Sequence, residues 1–177
     1  MEDKIIKAKE VILNGGVILY PTDTIWGIGC SAIIESAIKK IFEIKKRDNN
    51  KLLISLVSSI EMLERYVKKV PEYALEYLYD ESPTTIIYPK AKGLNHILYG
   101  KNESIAIRLV KDNFCKALID EINIPLISTS ANISGNPFPK KFKEIDKRII
   151  NQVDYVVNLN ESNLINSKPS RIIKVSL

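Results

Sequence analysis

Side chains able to handle anions concentrate in four short segments of this 177-residue sequence. In EIKKRDNNK, Lys45, Lys46, Arg47 and Lys51 sit where a helical pattern gives way to a strand pattern. On a helix, positions 45 and 47 diverge by roughly 200°, whereas on extended chain leaving the helix they point the same way. Paired so, Arg47 could grip phosphate oxygens through its planar fork and Lys45 as a point charge. The alternative is a solvated helix end whose cations complement the C-terminal dipole. In SIAIRLV, Ile105, Ile107 and Leu109 make one face of a strand and Ser104, Ala106 and Arg108 the other. A hydroxyl and a methyl beside a guanidinium leave space. Arg108 then either reaches over a pocket to clamp a carboxylate or phosphate, or is a surface cation on a half-exposed strand.

Two further segments end an apolar run in a burst of hydroxyls. In GGVILYPTDTIWGIGCSA, residues 17–20 are β-prone, and Pro21, with no N–H for a ladder, leaves Thr22, Asp23 and Thr24 at the strand end. In PLISTSANISGNPFP, an apolar strand runs into Ser128, Thr129, Ser130, Asn132 and Ser134. Ligands of α/β sheets favour the crevice beyond strand carboxyl ends, which gives both turns a functional reading beside the plain one of polar, cap-rich loops. Neither G-x-x-x-x-G-K-[ST] nor G-x-G-x-x-G occurs, so any nucleotide is held another way.

Other chemistry is poorly supported. The one histidine, His96, has no second histidine or cysteine nearby to help hold zinc, and Cys30 and Cys115 lie in apolar surroundings that suit packing. A net charge of +5 and a pI near 9.1 favour anionic partners, whether nucleotide phosphates or RNA. No apolar run nears the roughly 20 residues of a membrane span, and the charged residues 1–14 do not read as a signal peptide, so a cytoplasmic protein is expected.

The elements that must position these residues follow from periodicity. An amphipathic helix is expected over residues 1–14, with Val11 and Ile12 inward, and another over 31–47, carried by Ile34, Ile38 and Ile41 and stopping near Asp48-Asn49-Asn50. A strand over 51–57 precedes a helix through IEMLERYV, whose capping box pairs Ser58 with Glu61. Pro71 opens a helix over 72–80, where Tyr73 and Tyr77 recur at helical spacing and are expected to pack. Strands over 84–89, 104–110 and 125–129 flank a helix over 114–122; a helix within 140–150 and strands over 155–159 and 171–175 complete the chain. Strands alternating with helices, without repeat or linker, predict a single α/β domain over residues 1–177 with a mixed sheet.

In their order and spacing, GGVILYPTDTIWGIG, KIFEIKKR, SIAIR and STSANISG resemble the YrdC-like (Sua5/YciO/YrdC) proteins, whose central members are threonylcarbamoyl-AMP synthases. The resemblance implies a twisted, open mixed β-sheet with flanking helices around a basic concave cavity. It implies a nucleotidyltransferase that joins L-threonine, bicarbonate or CO2, and ATP into threonylcarbamoyl-AMP and pyrophosphate, with Mg2+ brought by the ATP. The product would pass to the machinery that modifies tRNA to threonylcarbamoyladenosine. Lys45 and Arg47 match the family's K-x-R pair, for the nucleotide phosphates and carbamate, and Ser130 and Asn132 its S-x-N pair, near phosphate and threonyl group. Thr22, Ser128, Arg108 and Ser170 would serve threonine, Arg108 its carboxylate, while Ser104 would face ATP. The strand-end glycines would let backbone approach ligand closely. Ser82 replaces the glycine of the usual Pro-Gly-Pro, VVNLNES replaces the usual Asp-Gly-Gly segment, and the family's Arg-Pro-Gly tail is not in this sequence, which predicts weaker closure over ATP. The rival expectation is a YrdC-like module that binds tRNA or rRNA without chemistry, or a paralogue lacking synthase activity.

Overall fold

The computed structural model describes residues 1–48, 52–159 and 169–176. Its strands are β1 (Ile18–Tyr20), β2 (Gly27–Ser31), β3 (Ile54–Val57), β4 (Thr84–Tyr88), β5 (Ile105–Leu109), β6 (Leu126–Ser130), β7 (Tyr155–Val156) and β8 (Arg171–Lys174). They form one mixed sheet in the order β7-β1-β2-β6-β3-β5-β4-β8. The pairs β1–β7, β3–β5 and β4–β8 are parallel and the others antiparallel. One face, carrying Ile28, Ile127, Ile107 and Ile86, is fully buried, and the helices α1 (Glu2–Leu13), α2 (Glu35–Lys45), α3 (Ile60–Tyr66) and α5 (Asn113–Ile122) pack against the strands. At roughly 25 cal/mol per Å2 of apolar surface, this face supplies most of the driving force for folding. The other face carries the site.

Most expected elements are present, and the differences have local causes. β2 is absent from the expectations above because its GIGCS sequence holds two glycines and no β-branched run; the strand exists because β1 and β6 flank it on both sides. The cap of α3 is Ser59, not Ser58: Ser59 Oγ accepts from the Met62 N–H at 3.1 Å. The helix expected within 140–150 divides into a 3-10 turn at Phe142–Glu144 and a short α6 at Lys147–Ile150, because Asp146 caps the second piece through the Arg148 N–H at 2.8 Å. Helix α4 (Glu72–Tyr79) begins after Pro71 as expected. Its Tyr73, however, is 52% exposed, and its hydroxyl bonds the Ser176 backbone; Tyr77 is half-buried, with the Arg171 guanidinium 5.2 Å above its ring. Asn49, Asn50 and Lys51 lie outside the described residues.

Candidate functional site

Strand alternation builds the floor. Gly27, Ser128 and Ser130 on β2 and β6, Ile54 and Leu56 on β3, Ala106 and Arg108 on β5, Thr85 and Ile87 on β4 and Ile172 on β8 all line one open hollow of about 270 Å3. On β3, β4, β5 and β6 the two floor residues are two positions apart, as the pleat requires. Thr22, Thr24, Arg47, Phe138 and Ser170 make the walls. SIAIRLV thus presents Ala106 and Arg108 to a concavity, and Arg108, 4% exposed, is not a surface cation. Ser104, at the head of β5, is buried and not in the lining; a side chain at Gly100 would meet its Oγ.

The Lys45/Arg47 pair is created by how α2 ends. Lys46 adopts a left-handed conformation (φ 48°), with the Lys46 N–H bonded to Glu43 O at 3.0 Å and the Arg47 N–H to Phe42 O at 2.9 Å. This is a Schellman closure with lysine where glycine is usual. It turns the two flanking cations to different tasks. Arg47 lines the hollow; its Nη2 donates to Leu52 O at 3.0 Å, its Nε is buried without a partner, and burial lowers its pKa. Lys45 is 1% exposed and does not line the hollow. Its Nζ donates to Ser130 O at 2.5 Å, Asn132 O at 2.8 Å and Asn132 Oδ1 at 3.1 Å. Burial, with Arg47 nearby, pushes the Lys45 ammonium down to about 7.

Lys45 therefore sits behind the Ser130–Asn132 turn and ties it to α2. Ser130 Oγ donates to Asn132 Oδ1 at 2.5 Å, and Asn132 Nδ2 to Asn136 O at 2.5 Å, so the amide is held from both ends. Ser130 lines the hollow, while Asn132 opens onto a neighbouring depression with Glu144 and Asp146. Thr22 is equally occupied: its Oγ1 accepts from the Thr24 and Ile25 N–H groups at 3.0 and 3.2 Å and donates to Ile25 O at 2.8 Å. It folds the Pro-Thr-Asp-Thr turn on itself. That turn in turn holds Arg108, at arm's length: Nη2 to Asp23 Oδ1 and Nη1 to Thr24 Oγ1 are both 3.4 Å, and Nε is buried without a partner. Ser170 shares a hydrogen bond with Thr85 at 2.8 Å, linking the approach to β8 with β4.

The structure thus gathers Thr22, Arg47, Arg108, Ser128, Ser130 and Ser170 around one hollow and sets Lys45, Asn132 and Ser104 behind or beside it. Among the lining residues absent from the sequence-based set, two are instructive. Thr85 had its signal in the alternation of TTIIY, and Phe138 had none, since its loop carries no periodicity. His96 is exposed and not part of this lining, both cysteines are buried, and no group of three metal-binding side chains occurs among the described residues. A larger hollow, of about 380 Å3, lies beyond the Pro21–Asp23 turn. Asp23, Glu81 and Asp112 against Lys111 leave it acidic, a poor place for a triphosphate.

The sequence profile of the family described as Sua5_yciO_yrdC, telomere recombination, matches residues 10–176. A Methanocaldococcus jannaschii relative, provisionally named threonylcarbamoyl-AMP synthase, is 37% identical over 174 residues, covering 94% of this chain and 78% of its own. The threonylcarbamoyl-AMP synthase of Pyrococcus abyssi is 30% identical over 165 residues, covering 92% of this chain and 48% of its own. The solved structure of P. abyssi Sua5 complexed with L-threonine superposes with a TM-score of 0.84 at 27% identity, over 99% of this chain and 52% of that one. The chain thus spans about half the length of the P. abyssi protein.

Proposed function

The chain belongs to the Sua5/YciO/YrdC family, and from that premise we propose that it synthesises threonylcarbamoyl-AMP from L-threonine, bicarbonate or CO2, and ATP, releasing pyrophosphate. The observation that carries this reading is the pair of guanidinium groups, Arg47 and Arg108, lining one hollow with unpartnered Nε atoms and small hydroxyls around them. Two cations, Arg108 buried and Arg47 half-buried, without matching carboxylates at full contact are suited to two separate anions.

Arg108 takes the amino-acid carboxylate. Its fork is held only at 3.4 Å by Asp23 and Thr24, so a carboxylate arriving at hydrogen-bond distance supplies a better partner than the turn does. Arg47 and the Ser130 turn take the phosphates. The threonine amine becomes a carbamate, whose oxygen attacks the α-phosphorus while the bond to pyrophosphate breaks; the negative charge spreads onto oxygens facing Arg47. Most of the barrier is lowered by holding carbamate and phosphorus in line. Lys45 keeps the Ser130–Asn132 turn at its angle through carbonyl contacts. Mg2+ supplies charge neutralisation on the phosphates; with no group of three acidic or histidine ligands among the described residues, the triphosphate and water would be its main ligands. The product would serve the modification of tRNA in the cytoplasm, through the machinery that transfers the threonylcarbamoyl group.

Release of pyrophosphate from ATP, dependent on both L-threonine and bicarbonate, tests the proposal. Arg47→Ala and Lys45→Ala should each lower turnover at least about 100-fold with unchanged circular dichroism. Absence of release from the unaltered protein, together with salt-sensitive RNA binding, would favour a non-catalytic RNA-binding module instead.

A further inference from the structure

Ser128 is a floor hydroxyl of the hollow with a proton to give. Thr22 Oγ1 is saturated by its own turn and Ser130 donates to Asn132, while the bond between Thr85 and Ser170, on the β4 side, uses one of that pair's two protons. Ser128 Oγ has one described partner, the Tyr20 hydroxyl, which donates to it at 2.8 Å. Tyr20 is fully buried, and burial raises its pKa well above the usual phenol range, so it remains a donor.

The path of that hydrogen bond is unusual. Tyr20 lies on β1 and Ser128 on β6, with β2 between them. Two strand spacings set β1 and β6 about 9.6 Å apart, and Ser128 is offset by two residues from the row of Tyr20, farther than neighbouring side chains normally bridge. The phenol crosses because β2 carries glycine on that face, at Gly27 opposite Tyr20 and at Gly29 opposite Ser128. A side chain at Gly29 would come within 2.9 Å of Tyr20 Cε1 and 3.1 Å of its hydroxyl oxygen, and one at Gly27 within 3.2 Å of Ser128 Oγ. The ring's other side rests against Phe114, 6.3 Å between centroids. Gly29 therefore gives the aromatic ring its passage, and Gly27 gives clearance beside Ser128 Oγ.

We propose that Tyr20 is a positioning residue: through the passage at Gly29 it fills one lone pair of Ser128 Oγ and turns the Ser128 proton into the hollow, making Ser128 a hydrogen-bond donor to an acceptor oxygen of the bound amino acid. This rests on the function proposed above. Ser128 thus reads a negative or carbonyl oxygen through its proton.

Calorimetric titration of the whole chain with L-threonine, without ATP, tests it in Tyr20→Phe, Ser128→Ala and the double variant. Phenylalanine fills the same buried slot, so the fold should persist, checked by thermal melting. Loss of one oriented hydrogen bond to a charged ligand should weaken binding about 5- to 30-fold in each single variant. The double variant should be no weaker than Ser128→Ala, since both act on one bond. In kinetics the loss should appear in KM for L-threonine with kcat little changed. Unaltered affinity in Tyr20→Phe, or additive losses in the double variant, would overturn the positioning role while leaving the proposed function intact. An unaltered protein that does not bind L-threonine would overturn both.

Discussion

At the level of single residues, the site divides its cations by how they are held. Arg108 is buried with loose partners, and Lys45 is buried with close ones. Replacing Arg108 by Lys keeps the charge but loses the planar fork, and should raise KM for L-threonine about 10- to 100-fold in pyrophosphate-release kinetics; an unchanged KM would remove Arg108 from carboxylate recognition. Lys45 makes a prediction about pH. Its folded pKa, about 7, lies below the value near 10.5 of the unfolded chain, so between these the unfolded state binds more protons. Stability gained from this group therefore rises with pH across that window, and below pH 7 the cost of burying the ammonium is fully present. Urea denaturation should show the unaltered protein gaining on Lys45→Met as pH goes from 7 to 10; a gap independent of pH would contradict the assignment. The residue types were legible in the sequence: EIKKR, SIAIR and STSANISG are the segments that meet. Which cation faces ligand was not legible. That depends on the left-handed turn at Lys46, and a lysine there carries no signal of it.

At the level of elements, turn and cap chemistry decides where side chains point. Ser59→Ala should cost about 1 kcal/mol in denaturant unfolding by freeing the Met62 N–H, without change in KM. A cost near zero would return the capping role to Ser58, which bonds Asp120 instead. Lys46→Gly should stabilise by up to about 1 kcal/mol, because glycine adopts the left-handed region without a Cβ penalty, and should leave Arg47 in place; a loss of stability would show that the Schellman closure is not strained. Strands and helices with clear periods were legible, including the alternation that puts Arg108 over the hollow. β2 was not, since a strand of alternating glycines is defined by what crosses it, here Tyr20. Of the glycines expected to admit ligand, Gly29 admits that ring and Gly27 lines the hollow. The cap expected at Ser58 falls one residue later, at Ser59, because adjacent serines offer two caps.

At the level of the whole molecule, one buried face and one open face of an eight-stranded sheet explain why a basic hollow can survive without collapsing. The helices take one face, and the open face mixes Ile54, Leu56, Ile87 and Ile172 with the hydroxyls and cations supplied where β1 and β6 end and β8 begins. The larger acidic hollow beyond the Pro21–Asp23 turn offers a built-in control, since it shares Thr22 with the candidate site yet has the wrong sign for nucleotide phosphates. A crystal structure of the protein soaked with L-threonine and a non-hydrolysable ATP analogue tests the central claim most directly. The account predicts the amino-acid carboxylate on Arg108 and phosphate oxygens on Arg47, with Asp23 displaced from its guanidinium contact. Ligand in the acidic hollow, or phosphates away from Arg47, would contradict it.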